Sequence, residues 1–126
     1  MVMVTEEPLT PEGISRKIPF PDATGSVVLH FAVVKPAVDG RPTAGIRFGA
    51  AGDVEAELRS IEAKLRDKWR LSDVVLARRL GSLKIGDIIS VAVVAAGGRE
   101  VAFGACGDAV ELFKSMKSLH KEELVE

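Results

Sequence analysis

The stretch Val74–Ala96, VVLARRLGSLKIGDIISVAVVAA, is the part of the sequence that decides the fold. Its two ends, 74–80 and 87–96, are rich in β-branched and other apolar residues, a composition typical of buried strands. The connection between them, 81–86, begins and ends with glycine, which favours a turn. We therefore expect two strands that pair antiparallel.

A long helix is expected on each side of this pair. Asp53 can cap the first helix, because apolar residues follow it at helical spacing as far as Trp69. Gly97-Gly98 then interrupts the chain, and the spacing of apolar residues predicts a second helix from Arg99 to about Leu119. Gly104 and Gly107 inside this helix are tolerable where another part of the chain packs closely against them.

The N-terminal third is less regular. Residues 26–34 have the composition of a further, mostly buried strand. Residues 1–24 hold four of the six prolines and little periodicity, which predicts an extended arm with turns and no helix. The glycine-rich segment 37–52 is expected to be a loop with a hairpin and one short strand around 44–48.

The bulk composition limits the classes of function. A chain of 126 residues with 47% apolar residues has the size and core of one domain, and we expect a single domain over 1–126. Its net charge of −1 and its lack of tyrosine argue against nucleic acid or a membrane as partner. The single cysteine, Cys106, excludes an internal disulfide, and no signal peptide or membrane span is recognisable, so we expect a cytoplasmic protein.

Three lysines stand out by their spacing. Lys114, Lys117 and Lys121 recur at i, i+3 and i+7, and they would form one cationic stripe if the second helix continued through them. Such a stripe could bind an anion. The commoner interpretation is a solvated helix face near a C-terminus, where cations are favoured.

Other candidate groups give weaker signals. Gly97-Gly98-Arg99 lies between a strand and a helix start, where free N–H groups and an arginine can hold a phosphate, although a plain tight turn fits as well. His30, His120 and Cys106 belong to no recognisable nucleophile or metal motif. We interpret all three as structural, with a buried and unreactive thiol, and expect no metal or cofactor.

Several motifs of the second half of the chain resemble the large, catalytic subunit of molybdopterin synthase over residues 53–121. KWRL (68–71) resembles the end of the family's first helix, and ARRLGSLKIGD (77–87) resembles its HRxGxLxxGD segment. GREVAF (98–103) is similar to the family's HRxxAF, with Gly98 in place of the histidine. The fold that the resemblance implies is an α+β domain of the α/β-hammerhead type, with antiparallel strands and two long helices.

The resemblance also implies a function and a set of site residues. Members of the family transfer sulfur from the thiocarboxylated C-terminus of a small ubiquitin-like carrier subunit to cyclic pyranopterin monophosphate, and form molybdopterin without a metal. Earlier in the chain, GSVV (25–28) resembles the family's first strand, and the arginine that follows that strand in the family falls on Lys35. Carried over to this sequence, Arg99 and Lys35 would bind the phosphate. Lys114 and Lys121 would stabilise negative charge or move protons as sulfur adds.

The sequence leaves two possible functions open, and it also predicts an oligomeric state. The chain can be an active synthase subunit, or a noncatalytic relative that acts as a carrier-binding or regulatory dimer. Gly98, and an ending five residues after Lys121, favour the second, whereas Arg99 and the lysines favour the first. The apolar segment 88–96 and the small-residue helix surface offer more area than two helices of one chain can cover, so we expect a homodimer. The resemblance to the family implies that this homodimer lies within a heterotetramer.

Overall fold

A computed structural model gives the structure of residues 1–18 and 21–124. It is an α+β fold, as the sequence predicts. Along the chain its elements are β1 (Val2–Thr5), α1 (Pro11–Ser15), β2 (Ser26–Val33), β3 (Ala37–Val38), β4 (Arg41–Pro42), β5 (Gly45–Ala50), α2 (Val54–Lys68), β6 (Asp73–Arg79), β7 (Gly81–Lys84), β8 (Ile88–Ala96), α3 (Arg99–Lys114) and β9 (Leu119–Leu124).

The main sheet has the strand order β1-β6-β8-β2. β6 and β8 pair antiparallel, from Asp73 opposite Ala95 to Arg78 opposite Ser90, which confirms the predicted pair. β2 lies antiparallel on the other side of β8, and β1 runs parallel to β6. The sheet is therefore built around the stretch that the sequence marks as most apolar.

The two long helices cover one face of this sheet. Asp53 caps α2 by accepting a hydrogen bond from the Ala56 N–H at 2.9 Å. Apolar residues of both helices pack against inward side chains of β6 and β8, and the burial of this apolar surface is the main favourable contribution to folding. The buried members of this core are Leu58, Ile61, Leu65, Val74, Leu76, Ala92, Val94, Ala105, Cys106, Ala109 and Phe113.

Gly104 explains how α2 and α3 approach closely. A Cβ at this position would lie 2.6 Å from Cη2 of Trp69, so the indole ring occupies the space that glycine leaves. The indole N–H donates to Asp108 at 2.7 Å. The expected close neighbour therefore exists for Gly104, whereas a Cβ at Gly107 would meet nothing within 4 Å.

The prediction of an extended N-terminal arm without a helix is wrong. Val2–Thr5 forms β1, and Pro11–Ser15 forms α1, whose N-cap Thr10 accepts from the Gly13 N–H at 3.0 Å. Ile14 is 1% exposed and packs on the sheet face opposite the long helices. Apolar residues of the arm are thus needed to cover that face. Pro19 and Phe20, inside the predicted arm, lie outside the described residues.

A second, smaller sheet has the order β7-β5-β9. The predicted short strand in 37–52 is present as β5, and the predicted hairpin is the β3–β4 pair. The connection 81–86 was predicted as a turn, but its residues Gly81–Lys84 form β7. The second helix ends at Lys114, not near Leu119, where β9 begins. None of the helices in the described part of the chain is long and apolar enough to cross a membrane.

Candidate active site

A cleft of about 650 Å³ opens where the C-terminal end of α3 meets both sheets. Its walls come from β2, β6 and β8 of the main sheet, from β5 and β9 of the small sheet, and from α3. The volume falls in the range of small-molecule sites, roughly 300–1,000 Å³. The cleft can therefore admit an organic ligand of moderate size.

Three lysines from distant parts of the chain line this cleft: Lys35, Lys114 and Lys121. Lys35 follows the end of β2, Lys114 is the last residue of α3, and Lys121 lies on β9 opposite Phe48 of β5. The only ion pair of Lys114 among the described residues is an exposed one with Glu111 at 3.4 Å, and such pairs contribute little. No aspartate or glutamate of the described residues lines the cleft, so its charge is positive.

The predicted helical stripe of lysines is wrong. Because α3 ends at Lys114, Lys117 lies in the connection to β9 and is not among the cleft residues. Lys114 and Lys121 still meet at the cleft, but they do so across a helix end and a strand. The same two lysines are thus brought together by tertiary structure, and the third is left out.

Glu57 of α2 fixes this connection. Its carboxylate accepts from the N–H groups of Lys117 and Ser118, each at 2.9 Å, and from the Ser118 hydroxyl. Burial acts to raise the pKa of Glu57, but the hydrogen bonds from Ser118 and Lys117 outweigh it, and the pKa is lowered. The ionised carboxylate therefore anchors the segment that separates Lys114 from Lys121.

Arg78 of β6 also lines the cleft, although the sequence did not predict it as a site residue. It is 6% exposed, and its Nε has no hydrogen-bond partner in the described part of the chain. Its Cζ lies 4.9 Å from the centre of the Phe48 ring, a cation–π contact. Burial lowers the pKa of Arg78 to about 10, so the guanidinium remains charged at neutral pH.

Two further polar residues of the main sheet line the cleft, Ser90 of β8 and His30 of β2. Ser90 is 2% exposed, and Nδ1 of His30 is buried without a partner among the described residues. The sequence favours a structural role for His30, but the structure places it in the cleft wall. In the sequence, the feature that could have indicated a polar site here is Ser90, which interrupts the apolar run of β8.

The cleft also has an apolar wall. Phe113 and Met116 lie at and just beyond the end of α3, and Ile89 and Leu119 come from the two sheets. Such side chains can contact the planar part of an organic molecule while lysines bind its charged part. The arrangement therefore suits an anion with an apolar ring, and its cations can stabilise negative charge that develops during a reaction.

Arg99 is not brought to this cleft. It is the first residue of α3 and Lys114 is the last, so about 22 Å of helix separates them at 1.5 Å per residue. The anion site expected from Arg99 and Lys35 together is therefore not formed within one chain. Cys106 is buried, and burial raises the pKa of its thiol, as expected for an unreactive cysteine.

The fold and the cleft define a class of protein: an α+β domain with a cationic, partly apolar pocket. Residues 4–116 match the family described as MoaE protein, and the chain belongs to this family. The molybdopterin synthase catalytic subunit of Aspergillus niger is 31% identical over 124 residues, which cover 98% of this chain and 68% of that one.

Solved structures are similar in the same way. Molybdopterin synthase from Staphylococcus aureus superposes with a TM-score of 0.88 at 26% identity, covering 98% of this chain and 90% of that one. The complex of subunits 1 and 2 of the molybdopterin-converting factor from Helicobacter pylori gives a TM-score of 0.73 at 21% identity, covering 99% and 85%. The second likeness concerns the fold alone.

Proposed function

We propose that this protein is the catalytic subunit of a molybdopterin synthase. It transfers sulfur from the thiocarboxylated C-terminus of a small ubiquitin-like carrier to cyclic pyranopterin monophosphate, and the product is molybdopterin. The observation that carries the proposal is the meeting of Lys35, Lys114 and Lys121 in one cleft without a carboxylate among its described lining residues. Family membership supports the same activity.

The roles of the three lysines follow from charge and position. Lys35 binds the phosphate of the substrate, and the apolar wall around Phe113 contacts its ring system. Lys114 and Lys121 stabilise the negative charge that develops as sulfur adds, and they can donate or accept protons in the same step. Because the lysines are attached to three different elements, folding holds them in position before the substrate arrives.

The partner of the reaction is a sulfur-carrier subunit. The converting factor of Helicobacter pylori is described as a complex of two subunits, and we propose a corresponding pair here, with two copies of this chain at its centre. The chain's one cysteine, Cys106, is buried, and a lone thiol suits the reducing cytoplasm. Sulfur therefore has to come from the partner.

Arg99 can serve the reaction only in a second copy of the chain. The length of α3 keeps it far from its own cleft, whereas a homodimer can bring the start of one α3 to the cleft of the partner. Co-expression of an Arg99→Ala chain with a Lys114→Ala chain tests this arrangement. In the doubly tagged heterodimer, one of two sites is intact if Arg99 acts across the interface, so roughly half of the parent activity is expected.

Each outcome of that experiment is informative. A heterodimer as inactive as its two parent variants would place Arg99 in its own chain's cleft, and parent activity of the Arg99→Ala homodimer would place Arg99 outside the site. A strictly monomeric unmutated protein in sedimentation at micromolar concentration would remove the basis for the shared site.

The activity itself is tested by incubation of the unmutated protein with thiocarboxylated carrier and cyclic pyranopterin monophosphate. Dithiolene product is expected. Carrier binding without product would favour the noncatalytic, carrier-binding alternative, and neither binding nor product would contradict both proposals.

A further inference from the structure

Arg78 occupies a position where the fold calls for an apolar residue. Side chains alternate along a strand, so 74, 76 and 78 of β6 point to the same face. Val74 and Leu76 belong to the core beneath the helices. Arg78 is the next residue on that face, and it is as buried as a core residue at 6% exposed. The apolar face thus ends in a buried cation at the cleft.

The residues beside Arg78 on the neighbouring strands also line the cleft. Arg78 stands opposite Ser90 on β8, and Ser90 stands opposite Ala32 on β2. These three residues form one row across the sheet, and all of them line the cleft. Two of the three, Arg78 and Ser90, are polar, so the apolar core gives way to polar side chains where the sheet reaches the cleft.

Within the described residues, nothing neutralises the Arg78 guanidinium. It forms no ion pair or hydrogen bond there, and its closest favourable contact is the face of Phe48. The Nε of the adjacent Arg79 is also buried without a partner, but its charge is paired: its Nη1 lies 3.2 Å from Oδ2 of Asp87, and its Nη2 donates to the Ser82 carbonyl. A buried charge without a partner is unfavourable, so Arg78 has a cost that Arg79 does not have.

We propose that Arg78 binds an oxyanion of the substrates, as a residue of the site additional to the lysines. The proposal rests on the proposed function for the identity of that anion, which is either the phosphate of the pterin or the thiocarboxylate of the carrier. A guanidinium presents a planar fork of donors that matches such groups with two hydrogen bonds, which a lysine cannot do. The Phe48 ring contacts the guanidinium at 4.9 Å, and both side chains line the cleft.

Arg78→Met tests the proposal, because it keeps the length of the side chain and removes the charge. Arg79→Met is the matched control. The melting temperature of Arg78→Met should equal or exceed that of the parent, because an unpaired buried charge is removed. That of Arg79→Met should fall, because Asp87 loses its partner.

Calorimetric titration supplies the second readout, with inorganic phosphate and thioacetate as separate probes. Affinity for at least one probe should fall by roughly tenfold or more in Arg78→Met, since a charged hydrogen bond is lost, and should stay within about twofold in Arg79→Met. The probe that is affected identifies the source of the anion. Unchanged affinity for both probes would overturn the proposal, whatever the melting temperature.

Arg78→Lys covers the case in which Arg78→Met fails to fold. It keeps the positive charge and loses the fork, so affinity should fall several-fold; parent affinity for both probes would again contradict the proposal. These measurements do not require sulfur transfer. Arg78-dependent binding in a protein without synthase activity would therefore refute the proposed function and leave the anion site standing.

Discussion

Lys114, Lys121 and Lys117 provide the sharpest test of the active site. Lys114 and Lys121 line the cleft, and Lys117, which lies between them in the sequence, does not. Loss of one preorganised charge costs about 3 kcal/mol in the transition state, which is on the order of 100-fold in rate. We expect Lys114→Ala to remove nearly all sulfur transfer, Lys121→Ala to reduce it strongly, and Lys117→Ala to have little effect.

Contacts that these lysines make elsewhere in the folded protein should not change the expected effects on the rate. The pair of Lys114 with Glu111 is exposed on both sides, 70% and 73%, and contributes at most about 0.5 kcal/mol. Lys117 contacts Glu57 through its backbone N–H, which alanine retains. All three variants should therefore fold with a free energy of unfolding within about 0.5 kcal/mol of the parent.

The assay is the single-turnover rate of dithiolene formation with excess thiocarboxylated carrier, with thermal melts of each variant alongside. An equal loss of rate in the three variants would mean that general electrostatic attraction, and not the geometry of the cleft, explains the lysines. Activity of Lys114→Ala close to that of the parent would refute the assigned site directly.

Two further predictions concern the scaffold. Gly104→Ala should lower the free energy of unfolding by about 1–3 kcal/mol, because the new methyl group meets Trp69 at 2.6 Å; Gly107→Ala, which meets nothing within 4 Å, should raise it by up to about 1 kcal/mol in chemical denaturation. Glu57→Gln should lower it by about 1–3 kcal/mol and loosen the Ser118 connection, with reduced activity. Because the pKa of Glu57 is lowered by folding, its contribution is complete above the ordinary carboxyl pKa and is lost as the pH falls through the lowered value. Urea titrations from pH 7 to pH 3 should therefore show a steeper loss in the parent than in Glu57→Gln, and parallel curves would contradict this role.

Periodicity and composition were enough to predict the helices and strands whose own residues show a clear apolar pattern. The apolar spacing after Asp53 gives α2, and the runs that become β6 and β8 are recognisable because strands buried on both faces are almost continuously apolar. The run that becomes β2 has a similar composition, but β2 lies at the edge of the sheet and its residues are only partly buried or exposed, so the prediction of a mostly buried strand is wrong. The end of α3 was not predictable in this way. Met116 and Leu119 continue the helical spacing, and the contact that ends the helix joins Glu57 to residues about sixty positions away.

The site, like the fold, was predicted only in part from the sequence. The resemblance to a known family indicated Lys35, Lys114 and Lys121, but their meeting depends on the pairing of β9 with β5, which no local pattern in 114–124 indicates. Arg78 was not predicted as a site residue, and the reason is different. Next to Arg79 at the end of a strand, it looks like part of a charged and exposed strand end, and only the alternation of β6 shows that it points to the core side.

The charge of the cleft links stability to occupancy. Lys35, Arg78, Lys114 and Lys121 lie around one cavity that has no carboxylate among its described residues, although the chain as a whole carries a net charge of only −1. Of these cations only Arg78 is buried, and its guanidinium carries a desolvation cost. An anion in the cleft would offset that cost, and a ligand that binds only the folded state stabilises it by an amount that grows with its concentration. The buried cation that makes the empty protein less stable is therefore the one proposed to bind an anion, and removing its charge should stabilise the protein at the expense of binding.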